Sequence, residues 1–277
     1  MSNLTLTILK SLSIAATGVA FVTLGTSSPA QATSFLSTGS GQVGTIDSAT
    51  GTFNPLSSSG VSFTDIALSS DNNLFGVTFS QLFNIDKITG ASSLIGNLGS
   101  SINALGFSSG NVLYGAGYSS LYTINTSTGA ASLIADISGF NSSGDLVFDP
   151  VNNRFLGTSG LFNGTPDTLF SISLNGTANP IGSIGFSDVY GLFFENGTLF
   201  GYTANREQIT IDLTTGAGTF NKNVTGGSGF IWGAASLPST GPSTSVSVPE
   251  PASVLGLLGL GALGVGSTMK RKLQQKG

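Results

Sequence analysis

Short apolar runs of four to six residues, separated by clusters of Gly, Asn, Asp, Ser and Thr, fill the chain from Phe35 to Ala235. Runs of this length bounded by turn residues predict β-strands rather than helices. The runs also repeat. Thr45-Ile46-Asp47-Ser48-Ala49-Thr50-Gly51 returns in related form at 84–90, 123–129, 171–176 and 210–216. The closing glycines, Gly51, Gly90, Gly129, Gly176 and Gly216, lie 39, 39, 47 and 40 residues apart. A second phrase, Leu74-Phe75-Gly76, returns as Leu113-Tyr114-Gly115, Phe155-Leu156-Gly157 and Leu199-Phe200-Gly201. A period near 40 with several short strands per unit predicts a β-propeller. A β-solenoid also repeats, but its rungs are usually shorter.

Four strands can be read in each unit. The first, strand A, is expected at 65–68, 103–107, 145–148, 189–194 and 231–235. Strand B opens at the Leu/Phe-Gly phrase, strand C at 82–86 and its counterparts, and strand D at 94–98, 133–137 and 180–184. Asp71-Asn72-Asn73, Ser109-Gly110-Asn111, Asn152-Asn153 and Asn196-Gly197 are tight-turn sequences between A and B. In strand C, Phe83 and Ile85 point one way and Leu82 the other, so both faces are buried, as in stacked blades. The chain opens on a B strand at 35–39 and closes on a lone A strand at 229–235. The last strand then completes the first unit. The expected fold is all-β: a five-bladed β-propeller over 33–237, closed by strands from both ends.

Composition narrows the chemistry. The 277 residues include 22 charged ones, 9 basic and 13 acidic, and no Cys or His. Disulfides, thiolate or His metal sites, a Ser-His-Asp triad and a Cys-His pair are excluded. Residues 33–248 hold 12 acidic and 4 basic side chains, a net charge of −8. Such a body repels nucleic acid and anionic lipid. The Asp-x-x-Thr-Gly phrase at Asp47, Asp86 and Asp212 lacks the dense Asp/Asn alternation of a calcium loop and reads as a hairpin turn. No metal site and no cofactor are expected.

The two ends read as addresses. Lys10, an apolar stretch over 12–24 and Ala30-Gln31-Ala32 form a secretory signal over 1–32, with cleavage expected after Ala32, so signal peptidase and the secretion translocon are implied partners. A Ser/Thr/Pro/Gly-rich linker occupies 238–248. Pro249-Glu250-Pro251 then precedes an uncharged stretch at 252–269, about 27 Å long as a helix and just enough to span a bilayer. Lys270-Arg271-Lys272 follows, which favours a cytoplasmic C-terminus. Pro-Glu-Pro, apolar helix and basic cluster in this order resemble the PEP-CTERM sorting signal. The resemblance covers 249–277. It implies processing by an exosortase-type enzyme, with transient inner-membrane anchoring before the body reaches the surface or the extracellular matrix, in bacteria that make exopolysaccharide or biofilm.

The starts of strand A bring Asp65, Asn103, Asp145, Asp188 (or Tyr190) and Trp232 to equivalent positions. In a propeller these positions ring one mouth of the central channel. Carboxylates and an aromatic ring there suit a cation or a sugar. The plainer reading is that each polar side chain bonds a neighbouring blade's backbone, with Trp232 in the core. Catalytic residues are not expected. The functional expectation is a non-catalytic binding or structural propeller. Its alternatives are a carbohydrate-binding propeller facing exopolysaccharide and, less favoured, a glycoside hydrolase built on paired carboxylates.

Overall fold

The computed structural model describes residues 34–58, 60–161 and 163–238. The expected signal segment, the sorting tail with its apolar stretch, and all but the first residue of the linker lie outside the described residues.

Twenty strands account for the described chain. In order they are β1 (Ser34–Thr38), β2 (Gln42–Asp47), β3 (Thr52–Ser58), β4 (Asp65–Leu68), β5 (Leu74–Val77), β6 (Gln81–Ile85), β7 (Ser92–Asn97), β8 (Ala104–Phe107), β9 (Leu113–Gly117) and β10 (Ser120–Ile124). There follow β11 (Ala131–Asp136), β12 (Ser142–Asp149), β13 (Arg154–Ser159), β14 (Thr168–Ser173), β15 (Ala178–Ser183), β16 (Val189–Glu195), β17 (Thr198–Thr203), β18 (Glu207–Ile211), β19 (Gly218–Asn223) and β20 (Ile231–Ala235). They form five four-stranded antiparallel sheets. Blade 1 is β20-β1-β2-β3, and blades 2 to 5 are β4–β7, β8–β11, β12–β15 and β16–β19. The predicted five-bladed propeller and its seam are therefore present. Phe35 lies opposite Ala235, and Leu36 opposite Ala234.

The repeated sequence phrase is the turn between the third and fourth strands of a blade. Asp47 Oδ1 accepts from the Ala49 N–H at 2.9 Å, Asp86 Oδ1 from Ile88 at 2.8 Å, Asn125 Oδ1 from Ser127 at 2.9 Å and Asp212 Oδ1 from Thr214 at 2.8 Å. Each phrase ends on a glycine at φ between 74° and 88°, the left-handed region that a turn of this kind requires. The outermost strand enters two residues earlier than the apolar pattern predicts in blades 2, 3 and 4. The first two residues of these strands, Ser92-Ser93, Ala131-Ser132 and Ala178-Asn179, are small or polar and give no apolar signal. The outermost pair of every blade also holds a register shift, between Val43/Gly44, Leu82/Phe83, Leu121/Tyr122, Leu169/Phe170 and Gln208/Ile209. A bulge breaks the even apolar alternation and twists each exposed edge away from flat pairing with another chain.

Five buried clusters hold the ring, one between each pair of neighbouring blades. Ala67, Phe75 and Leu82 of blade 2 pack with Leu105, Phe107 and Leu113 of blade 3. Tyr114 of blade 3 meets Phe155 of blade 4, with ring centroids 4.9 Å apart. Leu36, Ile46 and Ile231 of blade 1 pack with Phe193 and Tyr202 of blade 5, and Phe35 and Val43 pack with Ile66 and Leu74 of blade 2. Each blade thus buries both faces on its neighbours, which matches the apolar residues on both faces of strand C.

Candidate functional site

A propeller leaves one backbone edge of each innermost strand facing the channel, where buried N–H groups need acceptors. Here three such groups, from blades 2, 3 and 5, donate to two carboxylates, and two more, from blades 1 and 4, lie close enough to act on them. Asp65 Oδ1 accepts from Ile66 at 2.7 Å and Asp65 Oδ2 from Leu105 at 2.6 Å. Asp145 Oδ2 accepts from Leu192 at 2.5 Å. The Ala234 N–H acts on both carboxylates, and the Leu146 N–H on Asp145. Both side chains are buried, at 0% and 1% exposure. Burial, followed by the Asp145 charge, pushes the Asp65 carboxyl well above the usual range, while the N–H groups of Leu105, Ile66 and Ala234 pull it back. Burial likewise raises Asp145, against the pull of its three N–H partners.

Above this layer the channel opens into a pocket of about 470 Å³. Four aromatic side chains from four blades border it: Trp232 from blade 1, Phe79 from the β5–β6 turn, Tyr118 from the β9–β10 turn and Tyr190 from β16. Phe79 and Tyr118 are 59% and 70% exposed. The indole of Trp232 lies against Gly39, where an added Cβ would stand 2.8 Å from its Cε2. Thr64, Ser101, Asn103, Ser142 and Ser143 add polar groups to the lining. Asn103 donates from Nδ2 to the Ser142 carbonyl at 3.1 Å. The Ser143 hydroxyl donates to Asp167 Oδ2 at 2.9 Å, which also accepts from the Val189 N–H at 2.8 Å. Burial pushes the Asp167 carboxyl up to about 6, with the Asp188 charge adding to the rise and the Val189 and Ser143 bonds opposing it. The Tyr190 hydroxyl donates to Asp188 Oδ1 at 2.8 Å; burial and that carboxylate together raise the phenol. The opposite end of the channel narrows to about 30 Å³, lined in part by Leu68, Phe107, Phe148, Phe194 and Leu237.

The five residues singled out by sequence therefore separate. Asn103 and Trp232 line the mouth. Asp65 and Asp145 do not: the adjacent blades' N–H groups draw their carboxylates down into the buried layer beneath it. Asp188 stands behind Tyr190, with φ at +55°, and Tyr190 itself lines the pocket. Phe79 and Tyr118 carry no sequence prediction, yet a signal was present. Counting five residues from the first residue of the Leu-Phe-Gly phrase reaches Phe79 and Tyr118 in two adjacent units, but Gly160 and Ala204 in the next two. Among the described residues no three acidic side chains group as metal ligands.

Comparison with known proteins bears on the tail and on the fold of the body. Residues 247–272 match the PEP-CTERM protein-sorting motif. The body is a propeller that carries a sorting tail. The motif implies export and processing by an exosortase-type enzyme. No curated protein matches the chain. Among solved structures, a chain of a nidogen/laminin complex is similar at TM-score 0.55 and 10% identity, over 73% of this chain and 97% of that one. A symmetrical protein from work on de novo evolutionary emergence is similar at TM-score 0.50 and 17% identity, over 75% and 100%. A protein of unknown function from Bacteroides thetaiotaomicron is similar at TM-score 0.50 and 14% identity, over 75% and 65%. At these identities the likeness is one of fold.

Proposed function

We propose that the chain is an exported, non-catalytic binding propeller whose ligand site is the mouth pocket, and that the ligand is a glycan of the extracellular matrix. The aromatic border of the pocket carries this reading. Large aromatic side chains left 59% and 70% exposed around a cavity mark a binding surface rather than a core. Flat aromatic faces suit the C–H faces of a pyranose, and the amide and hydroxyl groups between them suit its hydroxyls. Hydrolysis finds less support. Asp65 and Asp145 are engaged by backbone donors below the pocket, and Asp188 is engaged by Tyr190.

The test is glycan binding by the purified full chain. Binding that Tyr118→Ala and Phe79→Ala each weaken about tenfold supports the reading. Turnover of a polysaccharide that Asp145→Asn abolishes replaces it with an enzyme. Neither binding nor turnover leaves a structural role. For the route, the reading is that the N-terminal signal is removed after Ala32, that 252–269 holds the chain in the inner membrane, and that exosortase processing then delivers the body to the surface or the matrix. Glu250→Ala then leaves full-length protein in the membrane fraction; trimming and release of that variant overturns the route.

A further inference from the structure

The pocket also has a sign. Several of its polar side chains have already committed their protons to protein acceptors. Thr64 Oγ1 donates to the Val77 carbonyl at 3.2 Å, Ser143 Oγ to Asp167, and Tyr190 Oη to Asp188. Asn103 uses its amide nitrogen on the Ser142 carbonyl, an assignment that the carbonyl acceptor requires. A hydroxyl has one proton, so these three oxygens can meet a ligand only as acceptors. No Lys or Arg lines the pocket. Arg206, in the β17–β18 turn that corresponds to the Phe79 and Tyr118 turns, is committed instead to the carbonyls of Val224, Gly226 and Gly229. Asp167 and Asp188 stand directly behind Ser143 and Tyr190. Around them are four aromatic faces, whose quadrupoles attract cations, Trp most strongly.

The lining also holds neutral donors, the Trp232 indole N–H and the Ser101, Ser142 and Tyr118 hydroxyls. The charge is one-sided all the same: carboxylates stand behind the lining, aromatic faces surround it and no cation lies within it. Resting on the glycan reading above, we infer that the mouth selects an amino sugar with a free ammonium group, and discriminates against uronic acids. An ammonium brings three donors and a positive charge to a site that offers lone pairs and negative potential. A uronate carboxylate brings only acceptors and meets no donor charge.

The experiment uses the purified full chain and three tetrasaccharides of one length: β-1,4-linked glucosamine, its N-acetylated form and galacturonate, titrated at low and at physiological salt. The expected result is that the glucosamine tetramer binds at least tenfold tighter than the N-acetylated one at physiological salt, with no binding of galacturonate. In Asp188→Asn the ratio between the first two falls toward one. Asn accepts positive φ readily, so this variant keeps the backbone. Equal affinity for the amine and the amide overturns the charge selection and leaves the glycan reading standing. Binding of galacturonate at least as tight as that of glucosamine does the same. No binding of any tetramer removes both. A preference that survives in the Tyr118→Ala/Phe79→Ala double variant comes from the acidic surface at large and overturns the assignment to the mouth. So does spermidine displacing the glucosamine tetramer at equal concentration, since the sugar ring is then irrelevant.

Discussion

Phe35 and Ala235 lie opposite each other in one antiparallel ladder, so the first and last described strands share a sheet. That pairing closes the ring, and it carries a second duty, because the neighbouring Ala234 N–H serves both buried carboxylates. Ala234→Pro removes this donor and distorts the seam in one step. Loss of a buried donor beside two carboxyl groups and a broken ladder each cost roughly 1–3 kcal/mol. The expected loss is about 3 kcal/mol or more in urea unfolding. Trp232, the single Trp and two residues away, reports it by fluorescence. A midpoint unchanged from the parent contradicts the seam.

Acid stabilises this propeller over part of its range. Asp167 titrates at about 6 in the fold against an ordinary 3.8. Between those values the folded protein holds more protons than the unfolded chain, so stability falls as pH rises. The loss through that window is on the order of 3 kcal/mol. Asp65 and Asp145, raised by burial, act with the same sign. Asp86 and Asp212, held low chiefly by the turn N–H groups of Thr89 and Thr215, act oppositely, and their contribution disappears as pH falls below the ordinary range. The melting temperature therefore rises as pH falls through about 6 toward about 4, and drops below about pH 4. Asp167→Asn shallows the upper slope; an identical slope in that variant excludes Asp167 as its source.

Much of the fold was legible in the sequence because a propeller writes its period twice, in the turn glycines and in the Leu/Phe-Gly phrase. The seam was legible because the strand count began on B and ended on A. The site was less so. An Asp at the start of a strand looks the same whether its carboxylate reaches the mouth or turns onto a neighbouring blade's N–H. The choice depends on where Leu105 and Leu192 lie in space, 40 and 47 residues along the chain. Asn103 and Trp232 were found because the mouth has room for their side chains. Phe79 and Tyr118 escaped because aromatic residues are expected inside, and only the comparison of equivalent turns marks them as exceptions. The early entry of β7, β11 and β15 was hidden because their first two residues, Ser92-Ser93, Ala131-Ser132 and Ala178-Asn179, are small or polar and carry no apolar signal.

Glycines between blades are set by clearance. A Cβ on Gly96 would stand 2.0 Å from the Thr128 carbonyl oxygen of the next blade, and one on Gly182 equally close to the Thr215 oxygen. Gly96→Ala therefore pushes blade 2 off blade 3, with an expected loss of about 2 kcal/mol or more. Gly110→Ala is the control, since the nearest atom to its Cβ is Ser108 Oγ at 3.8 Å. Its unfolding midpoint changes by no more than about 0.5 kcal/mol. Equal effects at the two positions contradict the clearance argument.

Gly39 offers a way to move the proposed binding surface without removing it. Its missing side chain is the space that the Trp232 indole fills, with Cε2 at 2.8 Å and Cζ2 at 2.9 Å from an added Cβ. Gly39→Ala must displace the ring, and the half-buried indole borders open space on its pocket side, so the displacement costs little stability. Two readouts follow from the one substitution. The emission of the sole Trp shifts to the red as the ring gains water, and affinity for the bound glycan drops about tenfold because a stacking face has turned, while the urea midpoint stays within about 1 kcal/mol. A red shift with unchanged affinity places Trp232 at the mouth but outside the ligand's contact surface, and the remaining aromatic border, Phe79, Tyr118 and Tyr190, then carries the binding alone.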